Sequence, residues 1–149
     1  MNSRLPDFAT VALLAMAQNI MRTEPNQILS DYEQDYLHRW FLEKERTTGS
    51  VYIHHILRSD YDEEMHDHPG DNLSIVLSGT IKEYSPQGTR ILLPGDVISR
   101  KATDRHKLEI DSPAITMWIM GERIREWGFW SKDGIFTPSG EFFEKRQTK

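Results

Sequence analysis

The chain has 149 residues, 38% of them hydrophobic and 28% charged, enough for one domain with its own core and too few for two. It contains no cysteine, which excludes disulfides, thiolate metal sites and cysteine nucleophiles and leaves His, Asp and Glu as ligands for any transition metal. The formal net charge of −5 argues against the basic face that nucleic-acid binders use to neutralise phosphates, and no nucleic-acid partner is expected.

Leu5 to about Arg22 predicts a helix, with Pro6 in the first turn, where its missing N–H costs nothing. Phe8, Val11, Ala12, Ala15, Met16 and Asn19 recur at helical spacing and form the face expected to dock on the core or on a second copy of the chain. Ala15-Met16-Ala17 mimics the end of a secretion signal, but Asp7 heads the run and the apolar pattern continues to Ile20 and Met21. A docking helix and a cytoplasmic location are therefore expected. No run is long enough to span a membrane, and no membrane partner is expected.

Glu24-Pro25-Asn26 breaks the helix, and the period then becomes alternating. Tyr36–Glu43 (YLHRWFLE) and Val51–Arg58 (VYIHHILR) predict strands, rich in aromatic and β-branched residues. Lys44–Ser50 reads as a loop and Ser59–Glu64 as an acidic, solvated loop. Short strands follow at Leu73–Ser78, Thr80–Tyr84, Thr89–Leu93, Val97–Arg100, His106–Ile110 and Ile115–Met120. Turn residues separate them at Ser78-Gly79, Ser85–Gly88, Pro94-Gly95-Asp96 and Asp111-Ser112-Pro113. Trp127, Phe129 and Trp130 precede a hairpin turn at Asp133-Gly134, and Ser139–Lys149 ends the chain as a short helix. Many short strands with frequent turns indicate a sandwich or barrel. The expected architecture is mainly β: a single domain over 1–149, with a helical extension at about 5–22, an antiparallel barrel at about 36–130 and a tail over 131–149.

The chemistry concentrates in Met65–Asn72. His66 and His68, two apart on a strand, point to one face and reach one ion together. Antiparallel strands between them and His106 return that third imidazole to the same interior. The competing reading is a pair of histidines beside an acidic loop and a third in a solvated turn.

These residues resemble the cupin superfamily. Its first motif, His-x-His followed by an acidic residue and a glycine, is similar to HDHPGDNLSIVLSG (His66–Gly79). Its second, a Pro-Gly turn followed by a histidine, is similar to PGDVISRKATDRH (Pro94–His106). The likeness covers about residues 36–120 and implies a jelly-roll β-barrel. HDHP together with REWGFW (Arg125–Trp130) also resembles a group of small bacterial and phage cupins, which implies no particular reaction. Where the family supplies a glutamate as fourth ligand, this chain has Asn72, with Asp71 beside it. The resemblance thus implies a metal site of His66, His68 and His106, with Asn72 or Asp71 as a fourth ligand or a support. It also implies a divalent transition metal, iron first, then nickel, manganese or zinc.

The pocket walls expected around this site are His54, Tyr84, Arg100 and Trp118, with Arg100 positioned to hold a carboxylate or phosphate. His38 and His55 read as structural, Arg123, Arg125, Glu126 and Trp127 as a charged and aromatic cluster, and Trp127, Phe129 and Trp130 as core or dimer interface. Gly-rich phosphate loops, nucleophile elbows and dinucleotide fingerprints are absent. The expected function is a mononuclear-metal, Fe-type dioxygenase-like oxidoreductase acting on a small molecule, and the expected protein partner is a second copy of the chain in a homodimer. The alternatives are a barrel isomerase or epimerase, and a non-catalytic binding module.

Overall fold

A computed structural model describes residues 3–31, 34–45 and 48–147. The chain enters with strand β1 (Ser3–Arg4) and helix α1 (Asp7–Ile20), then runs through β2 (Gln27–Asp31), β3 (Gln34–Glu45), β4 (Gly49–Ile56), β5 (Met65–His66) and β6 (Asn72–Ser78). It continues through β7 (Ile81–Ser85), β8 (Gly88–Leu92), β9 (Asp96–Arg100), β10 (Lys107–Glu109) and β11 (Ala114–Met120). It closes with β12 (Gly128–Trp130), β13 (Phe136–Pro138) and α2 (Ser139–Gln147). Every strand pairing is antiparallel. The large sheet has the order β1-β9-β6-β11-β4-β3-β2, and the two smaller sheets are β10-β7-β8 and β13-β12-β5.

The period of two along the central strands divides the large sheet into an outer and an inner face. Trp40, Ile53, Ile75, Leu77, Ile115 and Met117 pack together on the outer face beneath α1. Leu37, Ile56, Val76, Ile98 and Ala114 point the other way, against Ile81 and Leu92 of the small sheet β10-β7-β8. Tyr52, His54, Ser74, Thr116 and Trp118 continue that inner face and line a cavity of about 700 Å³. Gly79 turns the chain from β6 into β7 at φ 89°, and a Cβ there would lie 2.9 Å from Ala114, so the turn requires glycine on both counts.

The architecture is the expected helix followed by an antiparallel barrel, with differences at the edges. β1 and β2 add edge strands outside the expected set, and β3 extends to Glu45, shortening the expected 44–50 loop. Arg46 and Thr47 of that loop lie outside the described residues, as do residues 148 and 149 of the tail.

The helix corrects the core-docking half of one expectation. Its inner face is Leu13, Leu14, Ala17, Ile20 and Met21, whereas Phe8, Val11 and Met16 are exposed. Both stripes have helical spacing, so periodicity does not choose between them. The choice falls to the larger aliphatic set, which fills the groove over Trp40 and Ile53. Pro6 is the residue before the first turn, with φ −58° and ψ 150°, and no helix is long and apolar enough to cross a membrane.

Candidate metal centre

The backbone brings the three histidines together. His66 N–H donates to the His106 carbonyl and His106 N–H to the His66 carbonyl, each at 2.9 Å. His68 N–H donates to the Ala102 carbonyl at 3.0 Å, which holds the first motif against the second. The ring centroids are 4.8 Å apart for His66 and His106, 5.0 Å for His68 and His106, and 5.3 Å for His66 and His68. One nitrogen from each ring lies within 4.8 Å of the other two.

The electrostatics suit ligation, which requires neutral imidazoles. Burial, with the charge of Arg100 beside it, lowers His106 from its ordinary range to about 4. Burial lowers His68 well below its ordinary value, and His106 and His66 add to that effect. His68 Nδ1 is buried and has no hydrogen-bond partner among the described residues. A set of three imidazoles, two of them held toward the neutral form by burial and one carrying a buried, unsatisfied nitrogen, fits a divalent transition ion.

Glu83 supports His106. Its carboxylate is 1% exposed, and His106 Nδ1 lies 2.7 Å from Oε2. The ring donates through Nδ1, leaving Nε2 as its free ligand atom. Arg100 donates to the same oxygen through Nε and Nη2, and Arg90 binds Oε1 at 2.6 Å. Burial raises Glu83, but the His106 hydrogen bond and the Arg100 charge outweigh it and hold the carboxyl well below its ordinary range. Sequence gave no sign of this role, because Glu83 is one acidic residue in a short alternating strand. Asp60, from the loop read as solvated, is also fixed. It accepts from Tyr36 and from Leu108 N–H, and its Oδ2 lies 3.7 Å from His66 Nδ1.

Several expected site residues are placed elsewhere. Asn72 is buried, but its amide donates to the Gly70 carbonyl and its Oδ1 accepts from Trp118 Nε1 at 3.3 Å. It thereby supports the Trp118 wall beside His68. Asp71 turns outward to accept from Ala102 N–H at 2.8 Å. Tyr84 is on the outer side of β7, bonded to Glu109 at 3.0 Å, because Glu83 takes the inward position next to it. Arg100 does line the cavity, but its guanidinium is committed to Glu83 and to Ser74 Oγ. His54 and Trp118 line the cavity as expected, stacked 5.6 Å apart, with Trp118 6.0 Å from His68. His55 is paired across from His38 on the other face of β4, and His38 bonds Asp35 at 3.0 Å.

Asp67, the residue between the two histidines, is fully buried. It accepts from Gly128 N–H at 2.8 Å and Trp130 Nε1 at 2.9 Å, and Arg125 lies 2.7 Å away. HDHP and REWGFW are thus two halves of one contact, and Trp127, Phe129 and Phe143 are brought to the cavity wall. Asp67→Ala removes the acceptor from all three donors. A loss of about 2–4 kcal/mol is expected in urea unfolding, because buried donors are left unpaired.

His54 is buried, and burial with the nearby Arg39 charge lowers it well below its ordinary value. Its folded state therefore binds a proton less readily than the unfolded chain. This contribution to stability is full above about pH 6.5 and is lost as the pH falls toward the lowered folded value. From pH 6.5 to 5.5 the loss from this residue is about 1 kcal/mol, because the unfolded imidazole is already half protonated at its ordinary value of 6.5. His54→Gln should flatten that part of the wild-type dependence in urea unfolding measured at both pH values.

No protein-family model matches the chain, and no curated protein matches it. Solved structures do share its fold. One is a cupin superfamily protein from Desulfitobacterium hafniense, 17% identical, covering 64% of this chain and 84% of that one with a TM-score of 0.51. A sugar phosphate isomerase of the cupin superfamily from Silicibacter pomeroyi is 16% identical, covering 70% of this chain and 77% of its own, with a TM-score of 0.51. The Fe(II) form of HppE is 14% identical, covering 63% of this chain and 54% of its own, with a TM-score of 0.54. The chain has the cupin-type barrel fold.

Proposed function

We propose that this cupin-fold chain holds one divalent transition ion on His66, His68 and His106 and acts as an Fe-type oxidoreductase on a small molecule in the barrel cavity. The observation that carries this reading is the convergence of three imidazoles on a cavity of about 700 Å³. The Fe(II) form of HppE supports it only to the extent that this kind of barrel accommodates iron. When bound, a divalent ion on three neutral ligands keeps its full charge and open positions, and so supplies Lewis-acid polarisation and, as Fe²⁺, access to dioxygen chemistry.

The protein supplies orientation and exclusion of water. Glu83 fixes the His106 tautomer. Asn72 holds the Trp118 indole beside His68. Trp127 and Phe129 pack 6.2 Å and 6.1 Å from His66, forming an apolar wall next to the ligands.

A metal-free isomerase with His54 as its base fits less well. Arg39 Nε donates to His54 Nε2 at 2.8 Å, which occupies the lone pair a base needs and places the ring proton on Nδ1. His54 is a hydrogen-bond donor to the cavity in this arrangement. Elemental analysis of protein purified without a metal-affinity resin tests the proposal. About one equivalent of iron, nickel, manganese or zinc per chain is expected. Metal content near zero, with no uptake on titration, overturns it.

A further inference from the structure

Among the described residues, no carboxylate pairs with the Arg39 guanidinium of the cavity. Arg39 is on the inward face of β3, opposite His54, and lines the cavity. Its Nε donates to His54 Nε2 at 2.8 Å and its Nη1 to Gln27 Oε1 at 3.0 Å. Its guanidinium lies 4.7 Å from the Tyr52 ring centroid. All three partners are neutral, and among the described residues Nη2 makes no hydrogen bond and no Asp or Glu pairs with the group. Arg100, in contrast, is bound to Glu83.

The acidic residues of the cavity are differently placed. Asp31 is paired with Arg58, and Asp60 accepts from Tyr36 and Leu108. Asp62 and Glu64 belong to the loop that leads into His66. Asp60 thus marks the end of the lining beside His66, and Arg39 the end beside His54. His54 and Trp118 connect the two ends, Arg39 touching His54, His54 stacking on Trp118, and Trp118 packing on His68.

We propose that Arg39 is the anion-binding residue of the cavity, gripping the carboxylate of a small-molecule substrate whose apolar body lies along Tyr52 and Trp118 toward the histidines. The inference rests on the reading of this cavity as a substrate chamber. A guanidinium held in plane by two hydrogen bonds and an aromatic face has lost much of its rotational freedom, so a carboxylate meets an oriented donor. The aromatic wall selects a flat or apolar body next to that charge.

Benzoate and phenylacetate, each compared with its primary amide, test this by calorimetry and by the Arg39 side-chain N–H signal in NMR. The metal-free full-length protein is titrated first, so that no ion competes for the carboxylate, and the metal-loaded protein second. At least one acid is expected to bind metal-free protein more tightly than its amide and to shift the Arg39 signal. Arg39→Gln should weaken that acid by about tenfold to a hundredfold and change the amide by less than about twofold, with Arg39→Lys between. Acids that bind no better than their amides, an Arg39 signal that does not move, or an equal loss of acid and amide in Arg39→Gln each overturn the proposal. Should Arg39→Gln fail to fold, the wild-type comparison and the Arg39 signal still decide. If the chain takes up no metal but the Arg39-dependent preference persists, the metal reading fails and the anion site stands. If metal binds and the preference is absent, the reverse holds.

Discussion

Glu83→Gln is expected to destabilise the protein by about 3–5 kcal/mol and to weaken metal binding by about 10–100-fold, two losses from one substitution. The stability loss arises because Arg100 is 7% exposed and Glu83 is its carboxylate partner. Removing the negative charge leaves a guanidinium in the interior with no counter-charge, and a neutral amide does not compensate for it. The metal loss arises because Glu83 accepts the proton on His106 Nδ1; without a carboxylate there, the ring is freer to turn or to change tautomer. Arg100→Met provides the control. If the two groups stabilise each other, the double variant loses less than the sum of the single losses in a double-mutant cycle followed by urea unfolding. Additive losses would show that Glu83 and Arg100 act separately.

His68→Ala should separate function from stability in the opposite way. Loss of one of three ligands is expected to reduce metal affinity by more than the roughly 100-fold upper range seen for an outer hydrogen-bond partner. The metal-free fold should change by less than about 1 kcal/mol. His68 Nδ1 is buried without a partner, so the imidazole contributes an unsatisfied polar atom to the metal-free protein, and its removal relieves that cost. The ring also borders an existing cavity, so truncation enlarges an open space and leaves the packed core intact. Metal titration of the purified variant and its urea midpoint test the two halves. Unchanged metal affinity would remove His68 from the site, and a large stability loss would make it a structural residue.

The two substitutions differ because a site that binds an external charge cannot satisfy itself internally. His68 leaves a buried nitrogen without a partner among the described residues, whereas Glu83 is satisfied by three neighbours. In the proposed site the resident ion pair would hold the geometry, and the imidazoles would supply the affinity.

The strands from β6 to β11 were legible in the sequence because their causes are local. Alternation selects the faces, and glycine and proline turns set the ends, as at Ser78-Gly79 and Pro94-Gly95. His66, His68 and His106 were legible because a chain without cysteine leaves His, Asp and Glu as ligand types, and the spacing of two places His66 and His68 on one side. The partner of each polar side chain was not legible, since partners come from distant strands. Sequence parity favoured Asn72 for the site, yet its amide is taken by Gly70 and Trp118. Arg100 had the right chemistry for an anion, but Glu83, 17 residues away, already holds it. Only the folded barrel decides which charges are spent on each other and which, like Arg39, remain available, because neutralisation depends on distance in space. The helix follows the same logic: its composition determines that one face is buried, and the groove over Trp40 and Ile53 determines which.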